Sequence, residues 1–146
     1  MFATLNVRSL LNKDDDVVKI CRDHQINILC LTESWHDTDN AVLRCWECSE
    51  YNFVEQARPR DADADVLPVN HGIAVVVSIA SVLLSSIAVD QLTTFELVCA
   101  RAVVESFAAI VIVLYCPASE AARQKFYDKL VDVQDRFAAY QMPIYV

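Results

Sequence analysis

Glycine is almost missing from this sequence: the 146 residues contain a single one, Gly72, where an average composition would give roughly ten. Because glycine supplies the positive φ angles of tight turns, its scarcity predicts long connections or strained turns. It also excludes collagen-like repeats and glycine-rich phosphate-binding loops. At 55% hydrophobic residues, the chain is not disordered, and its length fits one domain with its own core.

Positive charge is also in short supply. Twelve basic residues stand against twenty acidic ones, which gives a formal net charge of −8. This balance argues against a protein held to nucleic acid by bulk electrostatics. It does not exclude an enzyme that meets DNA briefly through a metal ion.

The sequence lacks a complete cysteine or calcium motif for metal binding. Cys45 and Cys48 form a lone CxxC without the second pair that a zinc site needs. The run of alternating aspartates at 61–65 begins like a calcium loop, but Val66 and Gly72 stand where that loop needs Gly and Glu. We therefore expect a solvated acidic loop there. Most of the cysteines lie in apolar runs, as small buried hydrophobic residues do, and we expect free thiols in a reducing compartment.

Hydrophobic runs long enough to span a membrane are missing as well. One uncharged run of seventeen residues covers Ile73 to Val89, and a second run covers Phe107 to Cys116. A spanning helix needs about 20 apolar residues, and the first stretch is interrupted by four serines. Both are typical of buried strands, so no membrane association is expected.

The apolar pattern predicts an alternation of strands and helices. A strand, a helix with Asp14 as its N-cap and a second strand open the chain, which implies a right-handed crossover if the strands are parallel. Four closely spaced strands follow a polar connection, Arg58 to Asn70, and predict an antiparallel meander. The predicted strands are Phe2 to Val7, Ile26 to Thr32, Tyr51 to Val54, Ile73 to Ser78, Val82 to Val89, Phe95 to Val104 and Ala108 to Tyr115.

Two further helices are predicted from the sequence. A short one covers Asn40 to Glu47, and a long one is capped by Ser119 and ends before Pro143. Ile144 to Val146 then begins another strand. The apolar face of the long helix consists of Phe126, Leu130, Val133, Phe137 and Tyr140.

Two polar residues stand where predicted strands end. Asn6 ends the first strand and Glu33 follows the second. In α/β proteins, polar residues at the carboxyl ends of strands often line ligand sites. A carboxylate there can hold a hard divalent cation, and an amide can orient a phosphate oxygen. The alternative is that both residues only cap their strands.

Asn6 and Glu33 lie in two of seven segments that carry a resemblance to a known family. These segments are Leu5–Leu10, Ile28–Trp35, Tyr51–Asn52, Asn70–Val77, Phe95–Val98, Leu114–Pro117 and Pro143–Val146. In order and spacing, over the whole chain, they resemble the endonuclease/exonuclease/phosphatase family, and most closely the apurinic-type endonuclease domain of non-LTR retrotransposons of the CR1 and jockey kind. The resemblance implies an α/β (α+β) fold: the N-terminal part of a four-layer αββα sandwich of two packed mixed β-sheets with outer helices, so that residues 1–146 form a single, incomplete domain.

The resemblance implies metal-dependent hydrolysis of DNA phosphodiesters, which nicks a target for reverse transcription in the nucleus. Glu33 would hold Mg²⁺ or Mn²⁺, Asn6 would help position the metal and its phosphate, and Tyr115 would contact the phosphate. His71 lies in a loop that could face DNA, although solvent exposure accounts for it as well. DNA would be the partner of the intact parent domain.

This sequence also departs from the family pattern. In the family, a strand like Pro143–Val146 runs into Gly-Asp-Phe-Asn, which supplies the base, and a later Ser-Asp-His segment supplies a histidine. Both lie beyond Val146, and Cys116 replaces an expected arginine. We therefore expect the remnant of an endonuclease that is inactive alone, with an exposed strand edge open to self-association. The alternatives are a non-catalytic interaction module that uses this edge and a phosphoesterase for a small substrate.

Overall fold

Two mixed four-stranded β-sheets pack face to face in the computed structural model, with helices on both outer sides. The structure describes residues 1–36, 41–47, 50–56, 74–89, 96–115 and 124–146. This arrangement confirms the predicted four-layer αββα sandwich. In chain order the elements are β1 (Phe2–Asn6), α1 (Asp14–Asp23), β2 (Ile28–Thr32), α2 (Ala41–Glu47), β3 (Tyr51–Gln56), β4 (Ala74–Ile79), β5 (Leu83–Ser86), β6 (Glu96–Val104), β7 (Phe107–Tyr115), α3 (Gln124–Ala138) and β8 (Ile144–Tyr145).

The first sheet has the order β1-β2-β4-β3, with β1 and β2 parallel and the other pairs antiparallel. Because strand side chains alternate between faces, Leu29 and Leu31 point outward while Cys30 points toward the second sheet. The outer residues pack with Val17 and Cys21 of α1. The apolar side of the amphipathic helix α1 thus covers the outer face of the first sheet.

The end of α1 shows how the fold manages without glycine. The backbone N–H of Ile26 donates to the carbonyl of Cys21 at 2.9 Å, and that of Gln25 donates to Arg22 at 3.2 Å. This is the Schellman pattern, whose left-handed residue is usually glycine. Gln25 occupies that position with φ 52°.

The second sheet has the order β5-β6-β7-β8. β6 and β7 form a hairpin in which Val104 pairs with Phe107, and Glu105 in its turn has φ 51°. Helix α3 covers the outer face of this sheet through Val133 and Phe137.

The core between the two sheets consists of small and medium side chains. Alternation along β6 and β7 places one set of residues here and the other beneath α3. Burial raises the pKa of the Cys30 thiol in this core to about 12 and that of Cys99 beneath α3 to about 12, so both stay protonated. The inner core includes Cys30, Val54, Val76, Val82, Val98, Ala100, Ala102, Val111 and Val113.

The inner face of β1 lacks this cover. Phe2, Thr4 and Asn6 share that face and all three are exposed. The ring of Phe2 stacks on that of Tyr145 in β8, with centroids 5.7 Å apart. The edge strands of the two sheets therefore meet through one aromatic pair.

The four-strand meander was predicted wrongly. β4 lies in the first sheet between β2 and β3, and only β5, β6 and β7 form a meander. The physical reason is that Val75, Val76 and Val77 are all buried, which requires cover on both faces of the strand. A central position in the first sheet provides that cover.

Several boundaries also differ from the predictions. Lys13 holds the N-cap position of α1 and makes no side-chain capping bond, so Asp14 lies in the first turn beside two further acidic residues that favour the positive end of the helix dipole. Helix α3 ends before Tyr140, whose ring is half exposed. The predicted cap Ser119 and the connection Arg58–Asn70 lie outside the described residues. Across the described ranges, no helix is long and apolar enough to cross a membrane.

Candidate active site

Parallel pairing of β1 with β2 brings Asn6 and Glu33 to the same end of the first sheet. Asn6 pairs with Thr32 in the last register position, and Glu33 follows directly. This placement is the one that the strand-end pattern predicts. Asn6 is exposed and Glu33 is partly buried, so both remain accessible to solvent at this end of the sheet.

The third residue comes from the other sheet. Tyr115 ends β7 on the inner face, two positions after Val113 of the inter-sheet core. Its hydroxyl donates a hydrogen bond of 2.9 Å to Oε1 of Glu33. If the strand alternation continued past β2, Glu33 would point to the outer face of the sheet like Leu31, away from Tyr115. The left-handed backbone of Glu33, with φ 55°, ends this alternation. We call Asn6, Glu33 and Tyr115 the carboxylate site.

The electrostatics of this site favour an ionised carboxylate. The pKa of Glu33 is held below its ordinary value of 4.5, above all by a hydrogen bond from the Asn6 side chain. The Tyr115 hydroxyl and the positive charge of Arg8 act in the same direction, while partial burial opposes them. Glu33 is therefore charged at neutral pH and able to attract a cation.

The two loops that carry the site are fastened to each other. The backbone N–H of Ser9 donates to the carbonyl of Glu33 at 2.6 Å, and that of Leu10 donates to Ser34 at 2.8 Å. Within the segment after β1, Nζ of Lys13 donates to the carbonyl of Val7 at 2.7 Å. The segment after β1 and the segment after β2 thus form one hydrogen-bonded unit.

Left-handed backbone is concentrated in this unit. Among the described residues, eight that are not glycine have a positive φ. Such conformations cost of order 1–3 kcal/mol each and persist where the surrounding structure determines them, often at functional sites. Four of the eight lie within three residues of the ends of β1 and β2: Arg8 (48°), Ser9 (86°), Glu33 (55°) and Trp35 (48°).

A second polar group begins one residue after Glu33, and sequence reasoning missed it. Nδ1 of His36 lies 2.7 Å from the hydroxyl of Ser34, and Nε2 hydrogen-bonds Oε2 of Glu55 in β3. Ser34 is fully buried and His36 is 3% exposed. Because no substrate can reach the Ser34 hydroxyl, these residues do not form a nucleophilic triad. We call them the histidine cluster.

The carboxylate site fits a weakly held hard cation. Within the described ranges, no group of three or more His, Cys, Asp or Glu side chains lies together, so a protein cage for a metal is not formed there. Mg²⁺ commonly uses one or two carboxylates and completes its octahedron with water and substrate phosphate. Glu33 supplies such a carboxylate, with the amide oxygen of Asn6 as a second oxygen of the right type. The other predicted substrate contact, His71, lies outside the described residues.

Solved structures share this architecture. The human Nocturnin catalytic domain, with a bound sulfate anion, matches 96% of this chain with a TM-score of 0.62 and 16% identity. The 3′ phosphatase NExo from Neisseria, bound to a product DNA hairpin, matches 86% with a TM-score of 0.52 and 21% identity. An endonuclease/exonuclease/phosphatase family protein from Leptotrichia buccalis matches 88% with a TM-score of 0.51 and 12% identity.

These likenesses show that the chain has the endonuclease/exonuclease/phosphatase fold. The chain spans 45% of the length of the NExo structure and 59% of the other two. No protein-family model matches the sequence, and no curated protein matches it.

Proposed function

We propose that this chain carries the cation-holding and phosphate-positioning part of a metal-dependent phosphodiesterase site, and that the parent activity is the nicking of DNA by a non-LTR retrotransposon endonuclease. The observation that supports this most is the carboxylate site itself. A single ionised carboxylate is held by an amide from β1 and a phenol from β7, at the strand ends where α/β folds bind ligands.

Each residue of the carboxylate site has a role in the proposal. Glu33 and the oxygen of Asn6 would hold Mg²⁺ or Mn²⁺, which, when bound, offsets the charge that develops on the attacking and leaving oxygens. Asn6 also orients the Glu33 carboxylate. Tyr115 presents a hydroxyl that can donate to a phosphate oxygen once a cation occupies Glu33. His71 is proposed as a DNA contact.

DNA is the proposed substrate, which the comparisons support at the level of the fold. NExo, with the same fold, is a 3′ phosphatase bound to product DNA. Beside Glu33, the exposed Arg8 offers a cation to a phosphate and Trp35, at 37% exposure, offers a ring on which a base can stack. These local contacts suit a chain whose net charge of −8 gives no general attraction to DNA.

Residues 1–146 are proposed to form one incomplete domain that does not cleave DNA by itself. The support is that the described residues form no group of three or more His, Cys, Asp or Glu side chains at the site, whereas phosphodiester hydrolysis needs a base for the attacking water in addition to the groups that hold the cation. Removing members of a cooperative catalytic set typically costs orders of magnitude in rate.

The test combines cation binding with DNA cleavage. Mn²⁺ titrated into the purified chain should broaden the NMR signals around Glu33, and Glu33→Gln should weaken this binding at least tenfold, while the matched turn variant Glu105→Gln should not. Supercoiled plasmid incubated with the chain and either Mg²⁺ or Mn²⁺ should stay intact. Binding that is insensitive to Glu33→Gln would overturn the metal role. Nicking that disappears in Glu33→Ala would overturn the proposed inactivity.

A second candidate, a non-catalytic interaction module, is favoured by the exposed edge at β1. Phe2 is 42% exposed and Thr4 beside it is exposed, and β1 ends its sheet. A partner strand or a second copy could add there. Light scattering would show self-association that Thr4→Lys abolishes, since a charge on an edge strand opposes pairing. A monodisperse chain that binds Mn²⁺ through Glu33 would count against this candidate.

A further inference from the structure

The histidine cluster consists of polar side chains whose burial must be offset by hydrogen bonds. Buried polar side chains destabilise a fold unless they are hydrogen-bonded, and His36 meets this requirement with one partner on each ring nitrogen. An apolar side chain would fill the same space without that requirement. Packing alone therefore does not account for a histidine at this position.

The position of Glu55 supplies the first part of an explanation. Val75 of β4 pairs with Leu31 on one side and with Glu55 on the other. The three residues therefore form one row across the sheet, with Leu31 and Glu55 two strands apart, or about 10 Å. His36 spans this gap. Its ring hydrogen-bonds Glu55 in β3, and its own segment, from Glu33 through Ser34, starts directly after β2. The cluster thus ties the end of β2 to β3 across β4.

The second part is the conformation of the segment from Glu33 to His36. Glu33 and Trp35 both have left-handed backbones, which need support from their surroundings. On the β1 side, Ser9 and Leu10 donate backbone hydrogen bonds to the segment. On the β3 side, the histidine cluster holds it. With both sides fixed, the Glu33 carboxylate is kept within reach of Tyr115.

We propose that His36 and Glu55 are positioning residues for Glu33, acting through Ser34, so that the histidine cluster sets the geometry of the carboxylate site. The proposal rests on the proposed function, because the cation is what Glu33 is positioned to hold. Hydrogen-bond partners behind a metal ligand typically contribute 10–100-fold to metal affinity.

The experiment uses the whole chain and two readouts. Amide hydrogen exchange of Ser9 and Leu10, compared with the β6–β7 hairpin, reports the fixation of the segment. Mn²⁺ titration reports the site. Glu55→Ala should speed exchange at the two amides at least tenfold relative to the hairpin and weaken Mn²⁺ binding about tenfold. Glu55→Gln keeps an acceptor for the imidazole N–H and should retain most of the wild-type behaviour.

A matched control separates positioning from stability. Val133→Ala, on the face of α3 that packs against the second sheet, should destabilise the chain without weakening Mn²⁺ binding and without speeding exchange at Ser9 and Leu10 relative to the hairpin. His36→Gln provides a second variant if Glu55→Ala does not fold. Unchanged Mn²⁺ affinity in either folded variant, whatever the exchange rates, overturns the proposal. If the wild-type chain binds no Mn²⁺, the proposed function fails instead, and the exchange rates alone decide whether the cluster fixes the segment.

Discussion

The four residues from Glu33 to His36 supply two hydrogen-bonded groups that differ mainly in their access to water. In the carboxylate site, Glu33 is partly exposed and its partners come from β1 and β7. In the histidine cluster, Ser34 and His36 are buried. Since water can replace a lost partner only in the first group, the loss of a hydrogen-bonding side chain should cost less stability there than in the second group.

The largest effect is expected at His36. Replacing it with alanine leaves Glu55 and the buried Ser34 hydroxyl without the imidazole, and a broken buried network typically costs about 2–4 kcal/mol in the free energy of unfolding. Urea titration measures the loss. His24→Ala, on the exposed end of α1, should change stability by no more than about 0.5 kcal/mol. Equal losses in the two variants would show that the buried histidine cluster contributes no more to stability than an exposed histidine does.

A smaller and pH-dependent effect is expected at Tyr115. Tyr115→Phe removes a donor to the Glu33 carboxylate, so the pKa of Glu33 should rise toward its ordinary value of 4.5. A carboxyl whose pKa is lowered by folding stabilises the fold above its ordinary pKa and loses that contribution as pH falls through the lowered value.

The cost of Tyr115→Phe should therefore be about 1 kcal/mol at pH 7 and should shrink as the pH falls below 4.5. Urea titrations at pH 7 and pH 3 compare the two conditions. Tyr127→Phe on α3, at a residue that is 52% exposed, serves as the control and should show no such dependence. A cost that is equal at both pH values would mean that the hydroxyl does not act on an ionised Glu33.

The smallest effect concerns backbone strain away from both groups. Gln25→Gly should stabilise the chain by roughly 0.5 kcal/mol, because relief of the left-handed conformation exceeds the added entropy of the unfolded chain. Thermal unfolding would show this as a small rise in the midpoint. Gln25→Ala retains a Cβ and should show no gain. A loss of stability in Gln25→Gly would show that the strain at this helix end is negligible.

Sequence reasoning reached the carboxylate site because the signal is local. Asn6 ends one short apolar strand and Glu33 directly follows another, and a β-α-β unit with parallel strands brings such positions together. Tyr115 came from the family resemblance alone, because its approach to Glu33 depends on the stacking of two sheets. Strand alternation places the Tyr115 side chain on the inner face only when it is known which face of β7 packs against the first sheet.

The histidine cluster could not be predicted in the same way. His36 stands among polar residues in the sequence, and nothing there indicates that its ring is buried. The burial follows from the position of β4 between β2 and β3, which was itself predicted wrongly. β4 and β5 are neighbouring apolar strands in the sequence, and periodicity does not tell which sheet each one joins.

The ring stack of Phe2 on Tyr145 has a kinetic consequence. It joins β1 to β8, so its formation closes almost the entire chain into a loop, whereas the β6–β7 hairpin closes only a two-residue turn. Contacts of high sequence separation are entropically costly to form early. The hairpin and its helix α3 can therefore assemble first, and the rings of Phe2 and Tyr145 meet as one of the last steps of folding.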